Sequence, residues 1–234
     1  MMRVPVERAR ASSGVPRGFF LTFEGTEGSG KSTHVRLLQG ALLERGYRVD
    51  VTREPGGTPL AEALRDLLLG TEGEVPVPET ELFMLLACRA QHLQKRILPR
   101  LDAGEVVLCD RFSDASLAYQ GGGRGMGIER VAAVNELATS GIGPDFTILF
   151  DVPVDETLAR VGKRGREGGD VTRFDREFRE FHEVVRDVYR ALASREPERF
   201  VVLDATVPKP QLAAQVLEAV EPRLARRRAG GGLA

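Results

Sequence analysis

A glycine-rich turn near the start of the chain limits the possible folds more than any other stretch. Residues 25–33 read GTEGSGKST and meet the pattern GxxxxGK[ST] in full. An apolar run at 19–23 precedes this turn and a helix-forming run at 34–45 follows it. Glycines let several backbone N–H groups approach one phosphate chain, and the N-terminus of the following helix adds partial positive charge. We therefore predict that residues 25–33, called the phosphate loop below, bind a nucleoside triphosphate.

Individual residues of the phosphate loop have separate expected roles. Lys31 is expected to reach the β- and γ-phosphates, and the Ser32 hydroxyl is expected to bind Mg²⁺. Asp110 ends the apolar run 106–110, the position at which such sites place an acid that holds Mg²⁺. A glycine-rich loop without a ligand is the alternative, and the flanking strand and helix count against it. The predicted nucleotide-binding residues are Gly25, Thr26, Glu27, Gly28, Ser29, Gly30, Lys31, Ser32 and Thr33.

The rest of the chain alternates between apolar runs and helical patterns. Strands are predicted at 19–24, 47–52, 106–110, 146–151 and 200–203. Helices are predicted at about 31–45, 59–69, 78–98, 113–120, 128–140, 155–162, 174–195 and 210–226, with Pro99 ending the third of them. Continuous apolar strands that alternate with helices are typical of a parallel sheet covered on both faces. We predict a three-layer α/β/α fold with a five-stranded parallel sheet, similar to P-loop NTPases, and with a helical lid.

Domain organisation is expected to be simple. We predict a flexible N-terminal arm at 1–18, one domain at 19–228 and a frayed tail at 229–234. A segment rich in Gly and Arg at 162–173, called the lid segment below, lies between two predicted helices. Such a segment can close over a reacting phosphoryl group, carry Arg164 and Arg166 onto it, and exclude water. A solvated basic loop is the alternative.

Composition excludes several classes of function. The net charge of −1 provides no general basic field for nucleic-acid binding. No apolar run approaches the roughly 20 residues that a membrane-spanning helix needs, and the first 18 residues lack the apolar core of a secretory signal. Cys88 and Cys109 do not have metal-ligand spacing. We therefore predict a cytoplasmic protein that binds neither nucleic acid nor membranes.

Five short motifs lie in order along the chain. They are Phe23-Glu24-Gly25, TREPGGT at 52–58, RAQH at 89–92, DRFSDASLAYQG at 110–121, and RFD at 173–175 followed by Phe181-His182. These motifs resemble those of the bacterial thymidylate kinase (dTMP kinase) family, one of the nucleoside monophosphate kinase families. The resemblance runs from about residue 19 to the closing helix. The second and fourth motifs are specific to this family among kinases with a phosphate loop.

This resemblance implies transfer of the γ-phosphoryl group of ATP to dTMP with Mg²⁺, in a homodimer. Arg53 and Arg111 would hold the dTMP phosphate, and Arg89 would reach the thymine edge. Tyr119 would crowd the 2′ position of the sugar. Ser116, Gln120 and Glu24 complete the implied acceptor site.

One branch of the family carries a catalytic arginine in the phosphate loop and the other carries it in the lid. Since the loop has the acidic Glu27, the resemblance implies Lys31, Arg111 and the lid residues Arg164 and Arg166 as the catalytic set.

Two positions depart from the family pattern. The phenylalanine that usually stacks on thymine, four residues before Arg89, is Leu85 here, and Cys88 replaces the usual acid. Phe83 points about 200° away from Leu85 on a helix and cannot simply replace it. Thymine would then be sandwiched by an aliphatic side chain or by Phe112. The departure at Leu85 keeps open a kinase for another nucleotide, such as dUMP, and a nucleotide-binding switch without kinase activity is the second alternative.

Overall fold

The computed structural model describes residues 18–70, 74–168 and 172–233. The predicted arm lies outside these ranges except for Gly18, whose N–H group donates to the Leu101 carbonyl at 2.7 Å. No helix in the described ranges has the length and apolar character that a membrane crossing requires.

The centre of the fold is a five-stranded parallel sheet with the strand order β2-β3-β1-β4-β5. This confirms the predicted sheet, and the ends of the strands differ from the predicted ends by at most two residues. The strands are β1 (Phe19–Glu24), β2 (Val49–Arg53), β3 (Val106–Asp110), β4 (Phe146–Asp151) and β5 (Phe200–Asp204).

Helices cover both faces of this sheet, as predicted for three layers. The helices are α1 (Lys31–Glu44), α2 (Pro59–Leu69), α3 (Pro78–His92), α4 (Leu98–Asp102), α5 (Ser113–Ser116), α6 (Ile128–Thr139), α7 (Val154–Arg166), α8 (Arg179–Arg195) and α9 (Lys209–Ala229). Two π-helical segments, Leu93–Ile97 and Leu117–Gly123, follow α3 and α5, and a 3₁₀ turn at Phe174–Arg176 precedes α8.

Side chains along the central strand β1 point alternately to the two faces of the sheet, which explains why helices cover both faces. All six residues of β1 are buried. Phe19, Leu21 and Phe23 pack in one cluster with side chains of α1 and α9, whereas Phe20 packs on the opposite face with the segment that joins α3 to α4. Successive side chains of a strand point to opposite faces, so an uninterrupted apolar strand must be covered twice.

Four predicted boundaries are wrong, and one of them is the start of α8, which is predicted at 174 and lies at Arg179. Pro99 does not end its helix, because the Leu98 N–H group reaches back five residues to the Leu93 carbonyl and this widened turn accommodates the ring. The helix predicted at 113–120 does not end there, because a π-helical segment continues through the glycines at 121–123. Helix α7 extends to Arg166, so Arg164 and Arg166 lie in its last turn and not in a loop.

A frayed tail is predicted at 229–234, but the structure shows this segment packed up to the last described residue. Helix α9 continues to Ala229, and the Gly232 N–H group then donates to the Arg227 carbonyl at 2.9 Å. Leu233 is only 9% exposed and belongs to the core cluster of α1 and α9. Ala234 lies outside the described residues.

The register of the strands brings the predicted functional residues to one edge of the sheet. Asp110 of β3 pairs with Phe23 of β1 on one side and with Arg53 of β2 on the other. The phosphate loop leaves β1 one residue after Glu24. The carboxyl ends of three neighbouring strands therefore surround one place, where open parallel sheets bind ligands.

Candidate active site

A cavity of about 660 Å³ opens at this edge of the sheet. Its wall combines residues of the phosphate loop with residues that the family resemblance assigns to the acceptor. Glu24, Gly25, Thr26, Ser29 and Arg166 are the predicted site residues that do not line it. The predicted residues that do line it are Glu27, Gly28, Gly30, Lys31, Ser32, Thr33, Arg53, Leu85, Arg89, Asp110, Arg111, Ser116, Tyr119, Gln120 and Arg164.

Lys31 is folded back into the phosphate loop. Its ammonium group donates to the Gly25 and Thr26 carbonyls at 3.1 and 2.7 Å and to the Ser29 hydroxyl at 3.2 Å. Burial and the nearby positive charge of Arg111 lower the pKa of Lys31 to about 8. An incoming phosphate would add negative charge beside this buried ammonium and favour its charged form, so the loop fits a phosphate chain.

Gly25 shows why the loop needs glycine. Its φ of +137° lies in a region that residues with a side chain rarely adopt. A Cβ atom at Gly25 would lie 2.5 Å from the Phe150 carbonyl oxygen of β4. Any larger residue at this position would push the loop away from the sheet edge.

Ser32 and Asp110 form an oxygen pair at the mouth of the loop. The Ser32 hydroxyl donates to the Asp110 carboxylate at 2.6 Å, and both residues line the cavity. One hydroxyl and one carboxylate suit Mg²⁺, which prefers oxygen ligands and keeps several waters and substrate phosphates around it. The part of the chain described by the structure contains no group of three or more His, Cys, Asp or Glu that could hold a metal ion. Ser32 and Asp110, the two Mg²⁺ ligands predicted from sequence, are thus adjacent to each other and provide the oxygen atoms that this ion prefers.

Arg111 lies at the centre of a largely buried polar network. Its backbone has φ = +70°, and its N–H group donates to the Phe23 carbonyl at 3.0 Å, which ties it to β1. The guanidinium donates to Glu27 and to the Tyr119 hydroxyl, both at 3.0 Å, and to the Tyr189 hydroxyl at 3.1 Å. It therefore faces the cavity from a fixed backbone, but its charge is already paired with Glu27.

Glu27 stays ionised in this network. Burial alone would raise the pKa of its carboxyl, but Arg111 and Lys31 outweigh burial and lower it. The Tyr119 hydroxyl donates to the second carboxylate oxygen at 2.7 Å. Glu27 therefore brings a negative charge into the phosphate loop and adds no cation to it.

Glu24 lies behind this network, completely buried. It accepts hydrogen bonds from the Phe112 N–H group at 2.8 Å and from the Tyr189 hydroxyl at 2.7 Å. Burial raises the pKa of Glu24 to about 8, and the negative charge of Asp114 adds to this effect. Since Glu24 does not line the cavity, its position makes it a support for Arg111 and Phe112, unlike the direct acceptor contact predicted for it.

Two arginines approach the cavity from the side of β2. Arg53 is exposed and donates to Glu62 at 2.9 Å. Arg65, on the next helix, donates to the Pro55 carbonyl at 2.7 Å and lines the same wall. Burial and repulsion by Arg53 lower the pKa of Arg65. An anion bound beside Arg65 would favour its charged form and so offset both effects.

Arg89 is buried to 2% exposure and is almost fully occupied by hydrogen bonds. It donates to Glu54 at 2.7 Å, to Ser116 at 2.9 Å and to the Phe112 carbonyl at 3.0 Å, and it also contacts Asn135. The second oxygen of Glu54 pairs with His92 Nδ1 at 3.0 Å, and His92 Nε2 lies 2.7 Å from the Thr52 hydroxyl. The Arg89 side chain is therefore held in one place on the cavity wall.

The apolar part of the wall bears on how a base could be held. Leu85 lines the cavity, whereas Phe83 is 62% exposed and lies elsewhere. Phe112 is completely buried against Phe20 and does not line the cavity, so it is not available as the stacking partner suggested above. Phe174, which the sequence did not single out for this role, does line it.

Gln120 is oriented by a buried ion cluster. Its amide donates to Glu81 at 2.7 Å, and Glu81 also pairs with Arg124 at 3.2 Å and with Arg173 at 2.7 Å. Arg173 in turn donates to the Leu68 carbonyl at 2.5 Å. The start of the RFD motif is therefore fastened to α2 and α3.

The two lid arginines occupy different surroundings. Arg164 lines the cavity and donates to Asp175 at 2.5 Å, whereas Arg166 is exposed and lies off the wall. The Arg164 Nε atom is buried and has no hydrogen-bond partner in the structure. Residues 169–171 of the predicted lid segment lie outside the described residues.

Sequence reasoning missed nine residues of the cavity wall: Arg36, Glu54, Pro55, Arg65, Leu69, Ala115, Thr172, Phe174 and Asp175. Phe174 and Asp175 belong to the RFD motif, to which the sequence assigns no role. Arg65 follows the TREPGGT motif on a predicted helix, and its direction toward the cavity depends on how α2 packs.

Comparisons with known proteins agree on one family. The family model described as thymidylate kinase matches residues 23–216. The thymidylate kinase of Desulfovibrio desulfuricans is 49% identical over 214 residues, covering 90% of this chain and 99% of the relative. That of Pseudomonas putida is 50% identical over 202 residues, covering 86% and 92%. The crystal structure of thymidylate kinase from Ehrlichia chaffeensis aligns with a TM-score of 0.69 at 33% identity, covering 88% of this chain and 99% of that one.

Proposed function

The chain belongs to the thymidylate kinase family, and from this premise we propose that it transfers the γ-phosphoryl group of ATP to dTMP, giving dTDP and ADP. The observation that carries the proposal is that one cavity is lined both by Lys31 of the phosphate loop and by Arg53 and Arg111 of the two family-specific motifs. A donor site and an acceptor site that share one cavity are what direct phosphoryl transfer requires.

On the donor side, the phosphate loop and Lys31 would hold the phosphates of ATP. Lys31 would exchange contacts with the loop for contacts with the β- and γ-phosphates, whose negative charge favours its protonated form. Ser32 and Asp110 would hold Mg²⁺. When bound, Mg²⁺ neutralises the charge that builds up between the β- and γ-phosphates.

On the acceptor side, Arg53 and Arg111 would hold the dTMP phosphate and aim one of its oxygens at the γ-phosphorus. Arg89, fixed by Glu54 and Ser116, would present its remaining donor to the thymine edge. Tyr119 would limit the space at the 2′ position, and Leu85 with Phe174 would supply the apolar contact for the base. Catalysis then consists of positioning and charge neutralisation.

The lid would supply the positive charge that stabilises the transferring phosphoryl group. Glu27 makes the phosphate loop less cationic, so the stabilising cation is assigned to α7. We assign it to Arg164, because Arg164 lines the cavity and Arg166 does not. Closure of the lid segment would also exclude water, which would otherwise hydrolyse ATP.

We also propose that the protein is a cytoplasmic homodimer. Leu60, Leu67, Phe83 and Leu137 are exposed on α2, α3 and α6, which are neighbours in the fold. A second copy packed there would cover this apolar surface and leave the cavity open. Free, buried thiols at Cys88 and Cys109 agree with a reducing compartment. Sedimentation velocity at micromolar concentration tests the dimer, and a monomer there would contradict it.

A panel of acceptors with Mg²⁺-ATP separates this proposal from its alternatives. We expect phosphorylation of dTMP to exceed that of dUMP and dCMP in kcat/KM. Equal activity on all three would favour a kinase for another nucleotide. ATP consumption independent of any acceptor would favour a nucleotide-binding switch.

A further inference from the structure

Helix α8 carries a buried histidine without hydrogen bonds. His182 is 1% exposed, and neither of its ring nitrogens has a partner in the structure. Buried polar groups are nearly always paired, because an unpaired group loses the hydrogen bonds it made to water. The unsatisfied state of His182 therefore suggests that its partner is acquired in another state of the protein.

The phosphate-loop acid Glu27 lies close to His182. His182 Nδ1 lies 3.8 Å from the Glu27 carboxylate, about 1 Å beyond hydrogen-bond distance. Seven residues further along α8, on the same face, Tyr189 donates to Glu24 and accepts from Arg111. One face of α8 therefore adjoins both carboxylates that surround Arg111.

Binding of an acceptor phosphate would disturb this arrangement. In the structure Arg111 donates to Glu27 at 3.0 Å. A phosphate dianion that approaches Arg111 competes for the same positive charge and repels the ionised Glu27. The carboxylate, only 13% exposed, is then left with the Tyr119 hydroxyl and a weakened arginine contact, which costs free energy unless another donor moves in.

We propose that His182 is a positioning residue. It donates a hydrogen bond to the Glu27 carboxylate when Arg111 binds the acceptor phosphate and its contact with Glu27 weakens. The exchange needs a movement of about 1 Å by groups that already adjoin. This exchange leaves Arg111 free to bind the phosphate. It also gives a partner to His182, the one imidazole that is unpaired on both nitrogens in the described structure. This inference rests on the proposed dTMP kinase function, because it requires Arg111 to bind an acceptor phosphate.

Steady-state kinetics of the full chain test the proposal. His182→Leu removes the donor, and we expect its KM for dTMP to rise on the order of tenfold, the effect of one hydrogen bond to a charged group. Its kcat and its KM for ATP should stay within about twofold, because the lost contact acts on acceptor binding. His182→Gln keeps an N–H donor and should restore the KM for dTMP. An unchanged KM for dTMP in His182→Leu would overturn the proposal.

Thermal unfolding without ligand provides the matched control. His92 is also buried but is paired at both nitrogens. We expect His92→Leu to lower the unliganded Tm by several degrees and His182→Leu to leave it nearly unchanged. A fall in Tm for His182→Leu as large as that for His92→Leu would mean that His182 has a structural role in the unliganded state, against the proposal.

A double-mutant cycle tests the link to Glu27 directly. In a Glu27→Gln background the carboxylate is gone, so His182→Leu should cause little further change in the KM for dTMP. Additive effects of the two substitutions would contradict the proposed contact. The wild-type acceptor panel is measured alongside, so that failure of the proposed function and failure of the role of His182 give different results.

Discussion

The guanidinium of Arg164 donates a hydrogen bond of 2.5 Å to the carboxylate of Asp175, and this contact joins the last turn of α7 to the 3₁₀ turn before α8. The Asp175 side chain is completely buried, whereas that of Arg164 is 39% exposed toward the cavity. Asp175 also accepts from the Thr172 N–H and hydroxyl groups at 2.7 and 2.9 Å. Both ends of the lid segment are therefore attached to one carboxylate.

This contact leads to a prediction for the lid arginines. Arg164→Ala should lower kcat by about 10³, the effect of losing a cation that stabilises phosphoryl transfer, with much less change in the KM for ATP. Arg166→Ala is the matched control on the same helical turn and should change kcat by less than about threefold, since solvent already surrounds Arg166. If only Arg166→Ala were inactive, the assignment would be reversed. If both variants kept full kcat, the lid would have no catalytic arginine.

Leu85 leads to a prediction for base binding. An aromatic ring stacks on a base more favourably than an aliphatic side chain does, with base–aromatic stacking worth about 1–3 kcal/mol. We therefore expect Leu85→Phe to lower the KM for dTMP several-fold with little change in the KM for ATP. Phe83→Leu, at a position that faces away from the cavity, should leave both KM values unchanged. A higher KM for dTMP in Leu85→Phe would mean that the pocket has no room for the ring.

Glu24 leads to a prediction for the dependence of stability on pH. Burial raises the pKa of Glu24 from 4.5 to about 8 in the folded protein. The folded state therefore binds more protons than the unfolded state between these values, so this group lowers stability as pH rises from about 4.5 to about 8. Thermal unfolding should show a larger loss of Tm between pH 5.5 and 8.5 for wild type than for Glu24→Gln, which mimics the protonated acid. Parallel pH profiles of the two proteins would contradict this cause.

Arg89 leads to a prediction for stability that activity assays alone would miss. Its pair with Glu54 is buried to 2% and 3% exposure. Removing one partner of a buried pair leaves an unpaired charge and typically costs about 3–5 kcal/mol. Arg89→Met should therefore lower the free energy of unfolding in urea by about this amount, while Ser116→Ala, which removes a single acceptor, should cost about 1 kcal/mol. Equal unfolding free energies for Arg89→Met and wild type would contradict the structural role of the pair.

The features that the sequence predicted well depend on local patterns. The run that forms β1, the glycines of the phosphate loop and the acid at the end of β3 are each recognisable within about ten residues. The parallel order of the sheet then follows from the alternation of strands and helices, and it brings Lys31, Ser32 and Asp110 together without any further information.

The features that sequence could not predict depend on contacts between distant parts of the chain. Glu24 and Tyr189 are 165 residues apart, so neither sequence neighbourhood indicates that they bond. The cavity position of Arg164 but not of Arg166 depends on the continuation of α7, where glycines at 162 and 165 favoured a loop. Packing of a helix can override such local preferences. Pro99 lies within a continuing helix for a different reason, which is the widened π-helical turn before it.

The most direct test of the central claim is the product balance of the purified protein with Mg²⁺-ATP and dTMP, followed by anion-exchange chromatography. We expect dTDP and ADP to form in equal amounts, and we expect ADP formation to stop when dTMP is omitted. ADP formation at the same rate without dTMP, or the absence of dTDP from the products, would contradict the assignment of this cavity as the site of phosphoryl transfer to dTMP.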